Sequence, residues 1–145
     1  MLKNTLIVTG LIASVSMVGC ASVNPSTERN LNQLQNKNWV LSQLGGTAYK
    51  ADPNQSSVPQ ITFNNLQMSG TDGCNSFNGG YAVKGQKIKF SSISSTAKAC
   101  LNATDLPEKF KVALNDVQSY KASDDKLEFL NQDRKVIMIF ENKTN

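Results

Sequence analysis

The chain has 145 residues, of which 39% are hydrophobic, and it carries 15 Lys and Arg residues against 11 Asp and Glu residues. This length allows one domain, and the aromatic content is too high for a disordered chain. The sequence contains no histidine, which excludes Ser-His-Asp and Cys-His catalysis, and its weak, scattered positive charge argues against nucleic-acid binding.

Residues 1–19 have the pattern of a lipoprotein signal peptide. Lys3 precedes an apolar run over residues 6–18, which is too short for a comfortable transmembrane helix. The run ends in Met-Val-Gly-Cys at residues 17–20, which resembles the lipobox of bacterial lipoproteins. The resemblance implies cleavage just before Cys20 and anchoring to a membrane through lipid on that cysteine. The alternative is an ordinary secretory signal that happens to contain a cysteine.

The residues after Cys20 bear on location and on domain organisation. Ala21, rather than Asp, follows the cysteine. By analogy with Gram-negative sorting rules, this favours the outer membrane, on the side facing the periplasm. Residues 20–36 are polar beyond the cysteine and have no strong period, which predicts a tether that lifts a domain of residues 37–143 off the lipid.

Two cysteines remain once Cys20 is assigned to lipid. They are Cys74 and Cys100, and an even remainder in an oxidising envelope compartment favours one disulfide between them. For a loop of about 26 residues, the chain-entropy model gives roughly 3.5 kcal/mol of stabilisation. The alternative is a free reactive thiol at either position.

The secondary-structure pattern consists of many short strands and one helix. Strand candidates cover residues 38–44, 58–63, 66–69, 81–83, 88–90, 92–97, 126–130 and 135–141. A helix is predicted at about residues 105–118, with apolar positions spaced by three and four: Leu106, Phe110, Ala113, Leu114 and Val117. This order predicts an α+β fold, with a strongly curved, mostly antiparallel sheet or incomplete β-barrel packed on the single helix.

Several motifs of this region occur together in a known family. They include Gly-Cys-Asn-x-Phe at residues 73–77 and Ser-Thr-x-x-x-Cys at residues 95–100, preceded by Trp39 and Ile-Thr-Phe at residues 61–63 and followed by Phe140. The chain thereby resembles the META domain family and its HslJ-like heat-shock lipoproteins. The resemblance implies a compact envelope domain without a defined reaction. It also implies links to heat response, novobiocin tolerance, virulence or secretion, and a fold similar to pilot lipoproteins, which bind acyl chains or peptides.

The segment over residues 71–80 is the sharpest local feature, and two interpretations stay open. Asp72, Asn75, Ser76 and Asn78 could present polar groups to a ligand. Alternatively, these side chains cap backbone groups of a turn-rich loop, while Phe77 fills the core. The segment lacks the acidic spacing of a calcium loop, so no metal site is expected there.

Other charged residues are weaker candidates. Lys84, Lys87 and Lys89 occupy one hairpin, where they could face anionic lipid or protect an edge strand from pairing. Glu108 is expected at a helix N-terminus, and residues 124–125 in a turn, so they do not form a catalytic carboxylate pair. No catalytic residue is therefore assigned.

These observations predict a non-enzymatic, monomeric envelope lipoprotein that uses no cofactor. We expect it to support envelope stress or antibiotic tolerance by binding an envelope protein, a peptide or a lipid. One alternative is a pilot-like or acyl-chain-binding lipoprotein that assists envelope assembly or secretion. A further alternative is an enzyme inhibitor that acts through a protruding loop at residues 71–80.

Overall fold

The computed structural model describes residues 25–51, 57–100 and 104–143, so the predicted signal peptide and Cys20 lie outside the described residues. Within these ranges the chain forms two short helices, α1 (Pro25–Leu34) and α2 (Leu106–Asn115). It also forms nine strands: β1 (Trp39–Leu44), β2 (Thr47–Ala48), β3 (Gln60–Asn64), β4 (Gln67–Thr71), β5 (Ser76–Lys84), β6 (Lys87–Ser95), β7 (Ser119–Ala122), β8 (Lys126–Leu130) and β9 (Val136–Asn142). Neither described helix is long and apolar enough to cross a membrane.

The nine strands belong to one antiparallel sheet with the order β2-β1-β3-β4-β5-β6-β7-β8-β9. Strand β1 also pairs with β9, from Trp39 opposite Asn142 to Leu44 opposite Met138. The sheet must therefore curve strongly, because a strand near one end of the order bonds to the strand at the other end. The pairing of β6 with β7 is the shortest, with the single register pair Lys87 and Ser119. The predicted antiparallel, strongly curved sheet is confirmed.

Alternation along the strands directs one set of side chains into a shared core. In β1, Trp39 and Leu41 are buried, and in β3 the same is true of Ile61 and Phe63. Helix α2 covers part of this apolar face. Its Phe110 ring lies 5.7 Å from Phe77 and 6.3 Å from Phe140, measured between ring centroids.

Helix α1 is a correction to the predicted tether. Residues 20–36 were expected to be a polar spacer, but Pro25–Leu34 is helical and Leu34 is fully buried. The indole of Trp39 hydrogen-bonds to the Leu34 carbonyl at 2.9 Å. Leu31 and Leu34 are the only two leucines of a polar segment, so the apolar signal is small, and the helix is stabilised by tertiary packing. The sequence pattern predicted one helix, and the described residues contain two.

The boundaries around α2 also differ from the prediction. The helix ends at Asn115 rather than near residue 118, and Asp116 is its C-cap. Residues 119–122 then form β7, which the sequence pattern did not reveal.

The expected loop at residues 71–80 is shorter than predicted, because β4 extends to Thr71 and β5 begins at Ser76. The close approach of strands here depends on Gly70. A Cβ atom at Gly70 would lie 2.7 Å from the Phe77 ring and would overlap the Gln60 carbonyl. The glycines of this region therefore serve strand packing as well as turns.

Candidate binding groove

The candidate functional site is a groove between α2 and the β1–β2 hairpin. The hairpin turns at Gly45 and Gly46, both with positive φ (60° and 85°), a conformation that glycine adopts without strain. Two backbone hydrogen bonds hold it in place. The Gly45 amide donates to the Ile137 carbonyl of β9, and the Tyr49 amide donates to the Ser42 carbonyl, at 2.9 and 2.8 Å.

Helix α2 forms the opposite wall because its two faces have different roles. Phe110 and Leu114 are buried in the core, whereas Leu106, Val112 and Ala113 line the groove. Val112, on the same helix, is 60% exposed. The volume of the groove is about 890 Å³. Its apolar walls are formed by Leu44, Ala48, Tyr49, Leu106, Val112, Ala113 and Ile137.

Charged side chains lie along the helix side of the groove. Lys109 pairs with Asp105 at 2.6 Å, with an i, i+4 relation along α2. The hydrogen bond from Lys109 is the main cause that lowers the pKa of Asp105 below its usual value. Glu108 and Asp116 complete the acidic groups of this wall. The groove is therefore apolar along its length with a charged margin, which suits an apolar ligand that carries a polar end.

Two segments that adjoin the groove in sequence lie outside the described residues. Residues 52–56 follow the hairpin, and residues 101–103 precede α2. Among the residues that the structure does describe, no group of three or more Cys, Asp or Glu side chains is placed to hold a metal ion. The described groove offers van der Waals and hydrophobic contact rather than a set of converging reactive groups.

The predicted ligand-binding residues do not line this groove. Asp72 is 6% exposed, and its Oδ1 accepts hydrogen bonds from the backbone amides of Cys74 (2.9 Å) and Asn75 (2.7 Å). The Asn75 side chain in turn accepts a bond from the Lys98 amide at 2.8 Å. These bonds satisfy backbone groups of the turn, so the geometry favours the structural interpretation of Asp72 and Asn75.

The other two predicted residues lie on β5. The Ser76 amide donates to the Thr96 hydroxyl at 3.0 Å, and the Asn78 side-chain oxygen accepts from the Ser94 hydroxyl at 3.1 Å. Both Ser76 and Asn78 are exposed. Phe77 between them is buried against Phe110, so this segment lies on the sheet and does not protrude as an inhibitor loop would.

The structure contains the disulfide that the cysteine count favours. Cys74 and Cys100 are joined, with their Cα atoms 5.9 Å apart. The bond ties the turn after β4 to the segment after β6. Together with the Asn75–Lys98 hydrogen bond, it fixes this turn from two sides.

The three hairpin lysines occupy a different part of the surface. Lys84 and Lys87 line a cavity of about 750 Å³ together with Gln118 and Arg134. Lys84, Lys87 and Lys89 also lie beside a second depression that includes Phe90 and Val117. All three lysines are exposed.

Sequence reasoning missed the groove because its walls come from distant segments. Leu44, Tyr49 and Ile137 belong to β1, the end of the hairpin and β9, and only the folded sheet brings them beside α2. One local signal was present. Val112 is an apolar residue outside the stripe of Phe110 and Leu114, although one such residue alone does not indicate a contact surface.

Comparisons with known proteins agree on the fold. A family model described as META domain matches residues 32–144. An NMR structure of a protein from Burkholderia xenovorans is similar to this chain with a TM-score of 0.60 and 20% identity, over 92% of this chain and all of that one. A second NMR structure gives a TM-score of 0.59 and 17% identity, over 75% of this chain and 92% of that one. At these identities the likeness shows the fold alone. No curated protein gives a significant match.

Proposed function

The chain belongs to the META domain family, and we propose that it is a lipid-anchored protein of the bacterial envelope that acts by binding. Three observations support the location: the lipobox-like segment ending at Cys20, the disulfide between Cys74 and Cys100, and the family itself. Disulfides persist in oxidising compartments such as the periplasm, which fits a domain tethered to the periplasmic side of the outer membrane.

A binding role is favoured over catalysis by the chemistry of the groove and of the whole sequence. The chain has no histidine, and the Asp105 carboxylate in the groove is paired with Lys109. The carboxylate of the buried Asp72 accepts hydrogen bonds from two backbone amides. In this proposal the protein contributes to envelope stress or antibiotic tolerance by holding a partner at the membrane, without a cofactor.

The observation that carries the proposal is the apolar groove beside α2. Val112 is 60% exposed there, and burial of such a side chain against a ligand contributes on the order of 1–2 kcal/mol. Strand β2 forms the end of the sheet order and is two exposed residues long, so its outer edge can accept backbone hydrogen bonds. We therefore assign the groove to an apolar peptide segment of an envelope protein, laid between β2 and α2.

Site-specific photo-crosslinking tests this assignment. A photoreactive phenylalanine analogue replaces Val112 in the full chain, expressed in cells that export and anchor it. The matched control carries the analogue at Leu66, which is 69% exposed in the turn between β3 and β4, away from the groove. A discrete protein adduct from position 112 and not from position 66 is the expected result. Equal adducts from both positions, or none from position 112, would overturn the assignment.

A second candidate is acyl-chain binding, and the size of the groove favours it. A volume of about 890 Å³ lies within the range of small-molecule sites, and the walls are largely aliphatic. Native mass spectrometry of protein extracted gently from membranes tests this candidate. Co-purified lipid that is retained by the wild type and lost from V112E would support it. An adduct-free mass, together with no binding of fatty acyl probes, would exclude it.

A further inference from the structure

Helix α1, which follows the predicted lipid anchor at Cys20, is hydrogen-bonded to the turn between β5 and β6. In α1, the Thr27 hydroxyl accepts a hydrogen bond from the Gly85 amide at 3.1 Å, and the Asn30 side-chain amide donates to the Gly85 carbonyl at 3.1 Å. Gly85 is the turn residue between β5 and β6 and has a φ of 61°. The β5–β6 turn therefore lies beside the first two turns of α1.

The distance from this turn to the proposed lipid is limited by the chain. Five Cα-to-Cα steps separate Cys20 from Pro25, and a fully extended chain covers at most about 18 Å over that length. Lipid on Cys20 would therefore hold the start of α1 near the bilayer. Because α1 docks on Gly85, the same anchor holds the β5–β6 turn near the bilayer.

Three cations surround this turn without a described acid to neutralise them. Lys84 and Lys87 flank it and lie directly opposite each other in the register of β5 and β6. Arg134 comes from the β8–β9 turn and lines the same cavity. None of the four ion pairs among the described residues involves these side chains. Asp133 adjoins Arg134 in sequence, and Glu28 of α1 has Arg29 as its neighbour.

Repulsion between these cations destabilises the folded protein unless an anion lies nearby. Like charges directly opposite each other on two strands are destabilising, as for Lys84 and Lys87. The backbone of Arg134 is held in a left-handed conformation (φ 60°), and its amide donates to the Asn131 carbonyl at 3.0 Å. The Asn131 side chain accepts from the amides of Asp133 and Lys135. The third cation is thus presented from a firmly held turn.

We propose that Lys84, Lys87 and Arg134, here called the basic end, form a docking face for the anionic surface of the membrane that carries the anchor. This inference rests on the proposed lipidation of Cys20, which brings the basic end within reach of lipid headgroups. The face acts together with the lipid on Cys20. The lipid attaches the protein to the membrane, and the basic patch adds attraction to anionic headgroups that sets the orientation of the domain. The groove beside α2 shares no lining residue with the cavity of the basic end.

Vesicle partitioning of a singly alkylated chain tests the proposal. A chain of residues 20–145 is prepared with its disulfide intact, so that Cys20 is the one free thiol, and a hexadecyl maleimide is coupled to it. Partitioning is measured on vesicles of pure phosphatidylcholine and on vesicles with about a third phosphatidylglycerol. We expect the wild type to bind the anionic vesicles at least about tenfold more strongly, since each surface cation adds a measurable attraction.

Two variants distinguish an effect of the basic end on vesicle binding from an effect of net charge. K84Q/K87Q/R134Q removes the three cations of the basic end, and K50Q/K98Q/K111Q removes three exposed lysines from other elements. We expect the first variant to lose most of the anionic preference and the second to keep most of it. Equal losses in both variants would show a general charge effect and overturn the proposal, as would a wild type without anionic preference.

A salt series provides a measurement that needs no substitution. Raising the salt from 0.15 to 1 M shortens the Debye length from about 8 Å to about 3 Å. The wild-type preference should then disappear, whereas a preference that persists at 1 M salt contradicts electrostatic docking. Because the lipid is attached chemically, the result does not depend on processing in cells. Mass spectrometry of the protein from cells tests lipidation of Cys20 separately, so failure of the proposed function and failure of this inference remain distinguishable.

Discussion

The indole Nε1 of Trp39 donates a hydrogen bond of 2.9 Å to the carbonyl of Leu34, and both residues are fully buried. Leu34 is the last residue of α1, where backbone carbonyls have no partner within the helix. Trp39 of β1 therefore provides a hydrogen-bond donor for the free carbonyl at the end of α1. This bond makes α1 part of the domain rather than a spacer in front of it.

Replacing Trp39 with Phe should lower the free energy of unfolding by about 2–3 kcal/mol. The substitution removes part of a buried ring and leaves the Leu34 carbonyl without its donor. Urea unfolding monitored by circular dichroism measures the loss. N32A, on the exposed side of α1, is the control and should change stability by less than about 0.5 kcal/mol. A W39F protein as stable as N32A would contradict the structural role of the bond.

Truncation tests whether α1 is part of the folded unit. A chain beginning at residue 37 lacks Leu34 and both hydrogen bonds to Gly85, while a chain beginning at residue 25 keeps them. The shorter chain should be less stable by at least about 3 kcal/mol, since loss of one buried leucine alone costs about that much. Thermolysin digestion and urea unfolding measure the difference. Equal stability of the two chains would restore the interpretation of residues 25–34 as a tether.

The sequence pattern predicted the elements whose signal is local. Apolar and polar residues alternate in β1 and β3, and Phe110 and Leu114 follow a helical spacing. A single local periodicity therefore identifies the core residues of each element. Strand β7 was missed for the opposite reason. Its four residues carry one fully buried side chain, Tyr120, and the pairing with β8 comes from a hairpin that the propensities do not specify.

The site could be predicted much less well than the fold. Asp72 attracted attention because polar residues in a glycine-rich segment suit a ligand site, yet its carboxylate bonds to the local backbone. The residues that line the groove, in contrast, have no feature in the sequence that suggests a binding site. Ile137 and Tyr49 lie far apart along the chain and become one wall only after β1 has paired with β9.

Removal of the disulfide should cost about 3–4 kcal/mol. The C74S/C100S variant opens a loop of 26 residues, and the chain-entropy model gives the free energy of unfolding that is lost. The wild type is compared with the variant by urea unfolding, and the wild type with a reductant added serves as the matched control. Reduced wild type and variant should unfold at the same urea concentration. A variant as stable as the oxidised wild type would show that the turn is held by its hydrogen bonds alone.

A pair of substitutions separates a structural role of Asp72 from a binding role of its neighbours. D72A removes the acceptor of two backbone amides in a buried position and should destabilise the domain by about 2–3 kcal/mol. S76A alters an exposed hydroxyl and should change stability by less than about 0.5 kcal/mol. Thermal and urea unfolding of both variants measure these effects. Similar small changes in the two proteins would refute the capping role and leave Asp72 available to a ligand.

Tyr120 is the buried ionisable group that should make stability depend on alkaline pH. Its hydroxyl has no hydrogen-bond partner among the described residues, and the side chain is 1% exposed. Burial, with a smaller contribution from Tyr81, raises the pKa of Tyr120 from 10.0 to about 12. The folded protein therefore keeps the phenol proton over a pH range in which the unfolded chain releases it.

The direction of the effect follows from proton counting. Below about pH 10 both states hold the proton, and Tyr120 adds no pH dependence. Between about pH 10 and pH 12 the unfolded state binds fewer protons, so the free energy of unfolding falls as pH rises, by about 2–3 kcal/mol in total. Y120F removes the titrating group and should lose less stability over this range than the wild type. Other tyrosines and lysines titrate in both proteins, so the difference between the two unfolding curves at each pH isolates Tyr120.

At pH 7 the variant should be at least as stable as the wild type, because the lost hydroxyl made no bond to a described residue. Parallel loss of stability in the two proteins from pH 10 to 12 would contradict the raised pKa.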